Sequence, residues 1–364
     1  MSDKPGSATN GSDSRGISQS LSRRQLLAGL GALGAGLLSS RAAGAAGAGS
    51  VAGGGGGLID VHHHMIPAAF MKLQKHQLLR VSEPQPAVMQ WTPEHSLADM
   101  DAGGTRTAII SIVDPGVWVG NAANSRALAR EVNRYGAQLK ADHPGRFGFF
   151  AALPMPDVDG SLSELAYAMD TLGADGVGFF SDTLNRYPGD PRFAPIFDEL
   201  NRRKTVAYFH PMATDCAIQM LPRVSGKHRV TAPIFEFPFD TTRAICSFLY
   251  AGTFERCPDI TFIFAHGGGT LPMLAGRICQ GSQERMSQLK RLNFDTASVT
   301  NPPAMAAVLK LVPATQVFFG TDYPWGRTAA ARHQLQSLGL ADEQLAAIEF
   351  GNGQRAFPRL HQAG

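Results

Sequence analysis

Short apolar runs alternate with amphipathic stretches along most of the chain. The runs are continuously apolar, which is typical of parallel strands that are covered on both faces. Eight of them are predicted as strands, at 58–61, 107–112, 147–151, 176–180, 206–209, 260–264, 292–294 and 317–319. The distances between them leave room for a helix after each strand.

The amphipathic stretches supply these helices. The first begins with Thr92-Pro93-Glu94, a capping residue followed by proline at the first helical position, and ends near Gly103. The others are predicted at 122–141, 159–172, 191–201, 241–252, 270–288, 302–311 and 341–350. Eight strand–helix pairs favour an α/β fold of the (β/α)8 TIM-barrel type over a doubly wound sheet.

Residues 65–91 are too many for a simple connection between a strand and a helix. They predict either a lid over the barrel mouth or a small insertion after the first strand.

The first 57 residues have a different pattern. Arg23-Arg24 precedes an apolar run rich in Leu, Ala and Gly, and small residues suited to a signal peptidase follow near Ala45 and Ala48. This order predicts a twin-arginine signal peptide over 1–48, a glycine linker over 49–57 and one barrel domain over 58–364. The apolar run is too short and glycine-rich for a stable membrane span, so we expect a periplasmic or secreted protein without a membrane anchor after cleavage.

The predicted leader also explains the charge of the chain. Of the 33 Lys and Arg and the 30 Asp and Glu, five basic and two acidic residues lie in 1–48, which leaves 28 of each. The basic excess therefore belongs to the leader, and we expect no nucleic-acid partner for the remaining chain.

Polar groups follow four of the predicted strands. His62 and His64 end the first strand, where side chains two residues apart project the same way. His210 ends the fifth strand, His266 the sixth and Asp322 the eighth. Because active sites of TIM barrels lie at the carboxyl ends of the strands, these side chains are expected to converge.

Imidazoles and a carboxylate are suitable ligands for zinc or another divalent ion. A single histidine at such a position is more often a hydrogen-bonded core or loop residue. Four strand ends that all carry such groups make this explanation improbable for the set, and they predict a metal centre.

Several segments resemble the amidohydrolase superfamily, and in particular its aminocarboxymuconate-semialdehyde decarboxylase-like branch, which includes the resorcylate and 6-methylsalicylate decarboxylases. The resemblance extends from about Leu58 to Leu360 and is most specific between Thr241 and Arg277. The Gly320-Thr321-Asp322-Tyr323-Pro324 segment is nearly as specific, and residues 92–101 are most similar to the methylsalicylate type.

The resemblance implies a role for each candidate residue. His62, His64, His210 and Asp322 would bind the metal, with His266 as the acid/base group beside it. Arg277 would bind the substrate carboxylate across a dimer interface, so the resemblance also implies a homodimer.

Two departures from the superfamily pattern narrow these expectations. The fourth strand segment, 175–181, lacks the lysine that bridges two ions in binuclear amidohydrolases, so one divalent ion is expected, Zn²⁺ with Mn²⁺ as the alternative. The semialdehyde decarboxylases have a second substrate arginine before the helix at Thr92. Only Arg80 lies in that region, without a local match, which favours an aromatic substrate.

The sequence thus predicts non-oxidative decarboxylation of a small aromatic or dienoic carboxylic acid, with Asp322 or His266 delivering the proton. Hydrolysis of a lactone, amide or ester is the main alternative, because a metal-bound water would be a good nucleophile in the same site. A non-catalytic binding protein is a third, which the full set of site residues disfavours. Trp118 and Phe180 are candidates for lining an aromatic pocket or for simple apolar packing.

Overall fold

Eight parallel strands in sequential order, β1 to β8, form the sheet of the computed structural model, which describes residues 57–81, 84–225 and 230–361. The strands are Leu58–His64, Thr105–Ser111, Phe147–Ala152, Gly176–Phe180, Val206–His210, Thr261–Phe264, Asn293–Asp295 and Val317–Phe318. All eight predicted strands are therefore confirmed. The predicted leader, 1–48, and the linker up to residue 56 lie outside the described residues.

Hydrogen bonds between β1 and the residues after β8 close the sheet into a barrel. The backbone N–H of Val61 donates to the carbonyl of Phe319 at 3.0 Å, and that of His64 donates to Tyr323 at 2.8 Å. In the opposite direction, the N–H of Asp322 donates to His62 at 2.8 Å. The expected (β/α)8 barrel is thus confirmed, and its closing seam contains three of the candidate site residues.

Fifteen α-helices are described around the strands and are numbered here in chain order. Helices α1 to α8 are Ala68–Val81, Pro86–Met89, Pro93–Gly103, Ala122–Asp142, Val158–Asp170, Ala194–Arg202, Asp215–Ser225 and Ala232–Tyr250. Helices α9 to α15 are Thr253–Arg256, Leu271–Cys279, Gln283–Leu289, Pro302–Leu311, Thr328–Gln336, Asp342–Ala346 and Asn352–Ala356. None of the described helices combines the length and apolarity that crossing a membrane requires.

The insertion predicted after β1 is helical. Helices α1 and α2 fill it, and Gln74 of α1 donates from its side-chain amide to the carbonyls of Gly116 and Trp118 at 2.9 and 2.7 Å. These bonds attach α1 to the loop that follows β2 at the carboxyl end of the barrel.

Two predicted helices differ most from the structure in their limits. The helix expected at 241–252 begins nine residues earlier, in spite of Pro238 in its interior. The helix expected over 270–288 is divided into α10 and α11, because Gln280 and Gly281 adopt positive φ angles of 51° and 79°. A left-handed pair of this kind ends a helix.

The barrel has apolar layers inside and outside the strands. Phe150 and Tyr208 stack inside the barrel with ring centroids 5.0 Å apart, and Phe357 packs against them from the C-terminal region. Outside, Phe209 and Phe248 belong to a larger core between strands and helices. The candidate site lies directly beyond the inner layer, since the ring centroids of His62 and Tyr208 are 5.6 Å apart.

Candidate metal centre

Five predicted site residues meet at the carboxyl end of the barrel. The ligand atoms of His62, His210, His266 and Asp322 lie within 4.8 Å of one another. His64 joins them, because its Nε2 is 3.2 Å from both Nε2 of His62 and Oδ1 of Asp322. The structure therefore brings together every predicted metal ligand and the predicted acid/base residue.

Two of these residues have unusual backbone conformations, which set the direction of their side chains. His266 and Asp322 have φ angles of 54° and 61°, in the left-handed region that residues other than glycine rarely adopt. The turn after His266 continues with positive φ at three glycines, and a Cβ on Gly269 would approach the carbonyl oxygen of Pro238 to 2.1 Å. Backbone strain of this kind is concentrated at functional sites, where the surrounding structure maintains it.

Asp60 connects β1, which carries His62, with the turn after β8 that carries Asp322. Its buried carboxylate accepts the backbone N–H of His62 at 3.0 Å and that of Thr321 at 3.1 Å. It also accepts the Thr321 hydroxyl at 2.6 Å and lies 3.1 Å from Nδ1 of His63. Asp60 therefore orders the ends of β1 and β8 and is not itself one of the clustered candidate metal ligands.

Asp295 is a site residue that the sequence reasoning did not single out. It ends β7 and is fully buried. Its Oδ2 lies 2.9 Å from Nδ1 of His62 and accepts the Tyr208 hydroxyl at 2.8 Å, while Oδ1 accepts the backbone N–H of His266 at 2.8 Å. A carboxylate behind a ligand histidine sets its tautomer and orientation. The position of Asp295 at the end of a strand was the feature of the sequence that could have identified it.

Burial keeps most of these histidines neutral. It lowers the pKa of His64 and His266, and together with the neighbouring histidines it lowers that of His210 well below its ordinary range. A neutral imidazole has a free lone pair, which is the form that binds a metal ion.

His62 differs because it faces two carboxylates. Burial alone would lower its pKa, but the charges of Asp295 and Asp322 and their hydrogen bonds raise it to about 10. The same negative charges that favour a proton at this position also favour a divalent cation. Donor chemistry and electrostatics both fit one metal ion.

Two sets of four ligands are available in this cluster. Both contain His62, His210 and Asp322, and the fourth ligand is either His64, as the sequence predicts, or His266. Nδ1 of His266 lies 3.1 Å from the carbonyl oxygen of Ala297, so this nitrogen carries the hydrogen, and Nε2 lies 4.0 Å from Oδ2 of Asp322.

Arg277 lies outside the cluster. It is exposed in the last turn of α10, where Met273 and Leu274 are also exposed, by 78% and 37%. The predicted substrate role of Arg277 across a dimer interface stays a prediction.

Similarity to known proteins agrees with this architecture. A family model described as "Amidohydrolase" matches residues 59–359, nearly the whole barrel. The chain belongs to this family. The resemblance stated from the motifs is thereby confirmed.

Relatives of this amidohydrolase include fungal decarboxylases. The decarboxylase yanB of Aspergillus niger is 34% identical, over 83% of this chain and 88% of its own length. The 6-methylsalicylic acid decarboxylase of Penicillium expansum is 30% identical, over 83% and 96%. In fold, the chain is similar to the dihydroxybenzoic acid decarboxylase of Polaromonas sp. JS666, solved with manganese and the inhibitor 2-nitroresorcinol, with a TM-score of 0.75 and 19% identity over 83% and 97%.

A cavity of about 500 Å³ lies next to the cluster of candidate metal ligands in this amidohydrolase. It is bounded by α1 and by the loops after β2 to β5, and both Trp118 and Phe180 line it. Phe180 borders both the cavity and the cluster, because it lines the cavity and its ring centroid is 6.1 Å from that of His210.

Proposed function

We propose that this amidohydrolase is a metal-dependent decarboxylase of a small aromatic, salicylate-like acid. The proposal is carried by the five-residue cluster of this chain, together with its similarity to two decarboxylases that match more than four fifths of it. The protein is accordingly a carboxy-lyase, as the sequence predicts. No feature of the described site favours the hydrolase alternative.

The reaction replaces a carboxylate on the ring by a proton. The carbon–carbon bond breaks, carbon dioxide leaves, and the electron pair that remains on the ring carbon takes up the proton. A divalent ion bound by these residues would supply positive charge that stabilises the substrate carboxylate and polarises the ring.

The residues of the chain then have separate roles. His62, His64, His210 and Asp322 would hold the ion, and Asp295 and Asp60 position these ligands through hydrogen bonds. His266 holds or moves the proton through Nε2, because its Nδ1 is engaged with Ala297. Asp322 is the alternative proton carrier, and its Oδ2 lies 4.0 Å from Nε2 of His266.

For the ion itself we propose Zn²⁺, with Mn²⁺ as the alternative. Three imidazoles and one carboxylate are common for zinc, and a nitrogen- and oxygen-rich set also accepts manganese. Metal analysis of protein from its natural host distinguishes the two.

We further propose a homodimer in which α10 contacts the partner, supported by the exposed Met273 and Leu274 beside Arg277. Export by the twin-arginine route is also a proposal, supported by Arg23 and Arg24. Replacing both arginines with lysine should leave uncleaved protein in the cytoplasm. Normal delivery of that variant to the periplasm would contradict the proposed route.

A substrate panel tests the proposed chemistry. Mature protein reconstituted with Zn²⁺ or Mn²⁺ is assayed with salicylate-type acids for carbon dioxide and with aryl lactones, amides and esters for hydrolysis. We expect carbon dioxide from the acids and no hydrolysis. Turnover of a lactone, amide or ester without turnover of any acid would establish the alternative.

A further inference from the structure

Two residues of β4 are accessible at the carboxyl end of the barrel. Gly178 and Phe180 are partly exposed, whereas the rest of the strand is buried. Elsewhere in the described strands, the residues that are not buried are Arg106, Thr261 and Asn293, which lie at the amino ends of their strands. The exposure of Gly178 is therefore on the side of the barrel that carries the candidate metal ligands.

Gly178 lines two adjoining spaces. One is the cavity of about 500 Å³, and the other is a hollow of about 10 Å³ whose walls include His210 and Ser111. Phe180 also lines both spaces. Ser111 lies beside a second candidate ligand, since its Oγ is 3.4 Å from Nδ1 of His64. A ligand that extends from the cavity to these two histidines would therefore lie over Gly178.

A side chain at this position would point into the hollow. The nearest atoms to a Cβ on Gly178 would be the Cβ of Phe150 at 3.4 Å, the carbonyl oxygen of Ala151 at 3.9 Å and the Cβ of Ser111 at 4.0 Å. These are ordinary van der Waals distances, and the φ angle of Gly178 is not left-handed. The backbone could therefore accept another residue here, and its side chain would occupy the hollow.

The backbone does not explain why residue 178 is glycine. Glycine inside a strand weakens it and often marks a bulge or the close approach of another backbone or a ligand. Gly178 pairs regularly with Ala152 of β3 and Tyr208 of β5, without a bulge. Gly176 differs, because a Cβ there would approach the carbonyl oxygen of Val206 to 2.7 Å. Space for a ligand is the explanation that remains for Gly178.

We propose that Gly178 determines which aromatic acids this enzyme accepts, because the substrate ring lies against it between the cavity and His210. The inference rests on the proposed decarboxylase function, which places the carboxylate of the acid at the cluster. Ile112 and Phe180 provide apolar walls on both spaces, as is usual for pockets that bind a ring. Gly178 contacts the ring and takes no part in the chemical step.

Graded substitutions test this assignment. Metal-loaded Gly178→Ala and Gly178→Val are assayed on three acids of increasing width, namely salicylate, a methylsalicylate and a hydroxynaphthoate. Alanine should reduce kcat/KM for the widest acid that the wild type accepts by on the order of 10-fold, the usual effect of one methyl group in a binding pocket, and less for salicylate. Valine should extend the loss to all three acids. Dependence on the width of the acid distinguishes contact with the ring from general damage to the site.

Gly351→Ala is the matched control. Gly351 has an ordinary φ of −60° and lines neither space, and a Cβ there would lie 3.7 Å from the carbonyl oxygen of Ala346. This variant should keep all three kcat/KM values. Gly178→Ala should keep the metal content and melting temperature of the wild type, whereas Gly176→Ala should melt at a lower temperature because of its clash.

A crystal structure of the metal-loaded wild type with salicylate tests the proposal without any substitution. We expect ring carbons within about 4 Å of Cα of Gly178, the distance of an apolar contact. A ring bound elsewhere would overturn the proposal, as would the same relative kcat/KM for the three acids in Gly178→Ala and the wild type. If the wild type turns over no acid, the decarboxylase function fails, and the position of the bound ring still tests the role of Gly178.

Discussion

Oδ2 of Asp295 lies 2.9 Å from Nδ1 of His62, so the other ring nitrogen of His62 faces the remaining ligands of the cluster. The same carboxylate accepts the backbone N–H of His266. One buried residue at the end of β7 therefore positions both a metal ligand and the proposed acid/base group.

Replacing this carboxylate should weaken metal binding. Asp295→Asn is expected to reduce metal affinity by roughly 10- to 100-fold, the usual effect of losing a partner behind a ligand histidine. Titration with a competing chelator measures it. Tyr208→Phe is the matched control, because it removes only the hydroxyl that donates to Asp295, and its effect should be smaller. Equal affinities in Asp295→Asn and the wild type would refute the positioning role.

The roles of His266 and His210 can be separated by metal analysis. His266→Ala should keep about one ion per chain but lose turnover by a factor on the order of 10² to 10⁴, as expected for a general acid–base group. His210→Ala should lose most of the metal. If His266→Ala is also depleted of metal, His266 belongs to the ligand set, and the assignment of His64 as the fourth ligand needs revision.

The strands were predictable because each is a short run that is buried on both faces. The residues at which the helices begin and end were less predictable. Pro233 and Pro238 interrupt the pattern at the start of α8, and the break between α10 and α11 depends on Gln280, a residue without a strong preference for positive φ. Such local conformations depend on packing that a sequence pattern does not contain.

The residues of the candidate site were likewise predictable only in part. His62, His64, His210, His266 and Asp322 were recognisable because their residue types match metal chemistry and each follows a predicted strand. Asp295 directly follows the predicted seventh strand, 292–294, but its partner His62 is 233 positions away. The burial of Asp114 and Asp182 likewise results from contacts between distant loops, which no local pattern reveals.

The raised pKa of Asp114 predicts a pH effect on stability. The group has an ordinary pKa of 3.8 and a pKa of about 8 in the folded protein, so the folded state binds the proton more tightly. Its stabilising contribution is complete below about pH 4 and is lost as the pH rises towards 8. Burial is the main cause of the raised pKa of Asp114. The charges of Asp182 and Asp240 raise this pKa further, and the charge of Arg80 lowers it.

Asp114→Asn does not titrate and keeps an acceptor for the N–H of Ala213. The melting temperature of the variant relative to wild type should therefore increase steadily from pH 4 to pH 8. Asp198→Asn serves as the control for loss of a surface carboxylate. A difference between Asp114→Asn and wild type that stays constant over this range would show that Asp114 keeps an ordinary pKa.

Mixed dimers test the role of Arg277. Inactive His266→Ala chains are combined with inactive Arg277→Ala chains, and subunit exchange is demonstrated with a mass label. If Arg277 serves the site of the partner subunit, one of the two sites in each hybrid has both residues intact, and activity should return. Exchange without recovered activity would restrict Arg277 to its own chain or to a surface role.

The central claim is that this cluster, with one divalent ion, removes a carboxylate from an aromatic acid. The most direct measurement follows carbon dioxide and ring product together, from 6-methylsalicylate and the other acids of the panel, in D₂O, for the reconstituted wild type and for His210→Ala. We expect one carbon dioxide for each acid consumed by the wild type, one deuteron at the ring carbon that carried the carboxylate, and almost no turnover by His210→Ala. Lactone or ester hydrolysis without carbon dioxide release, or equal turnover by His210→Ala, would contradict the account.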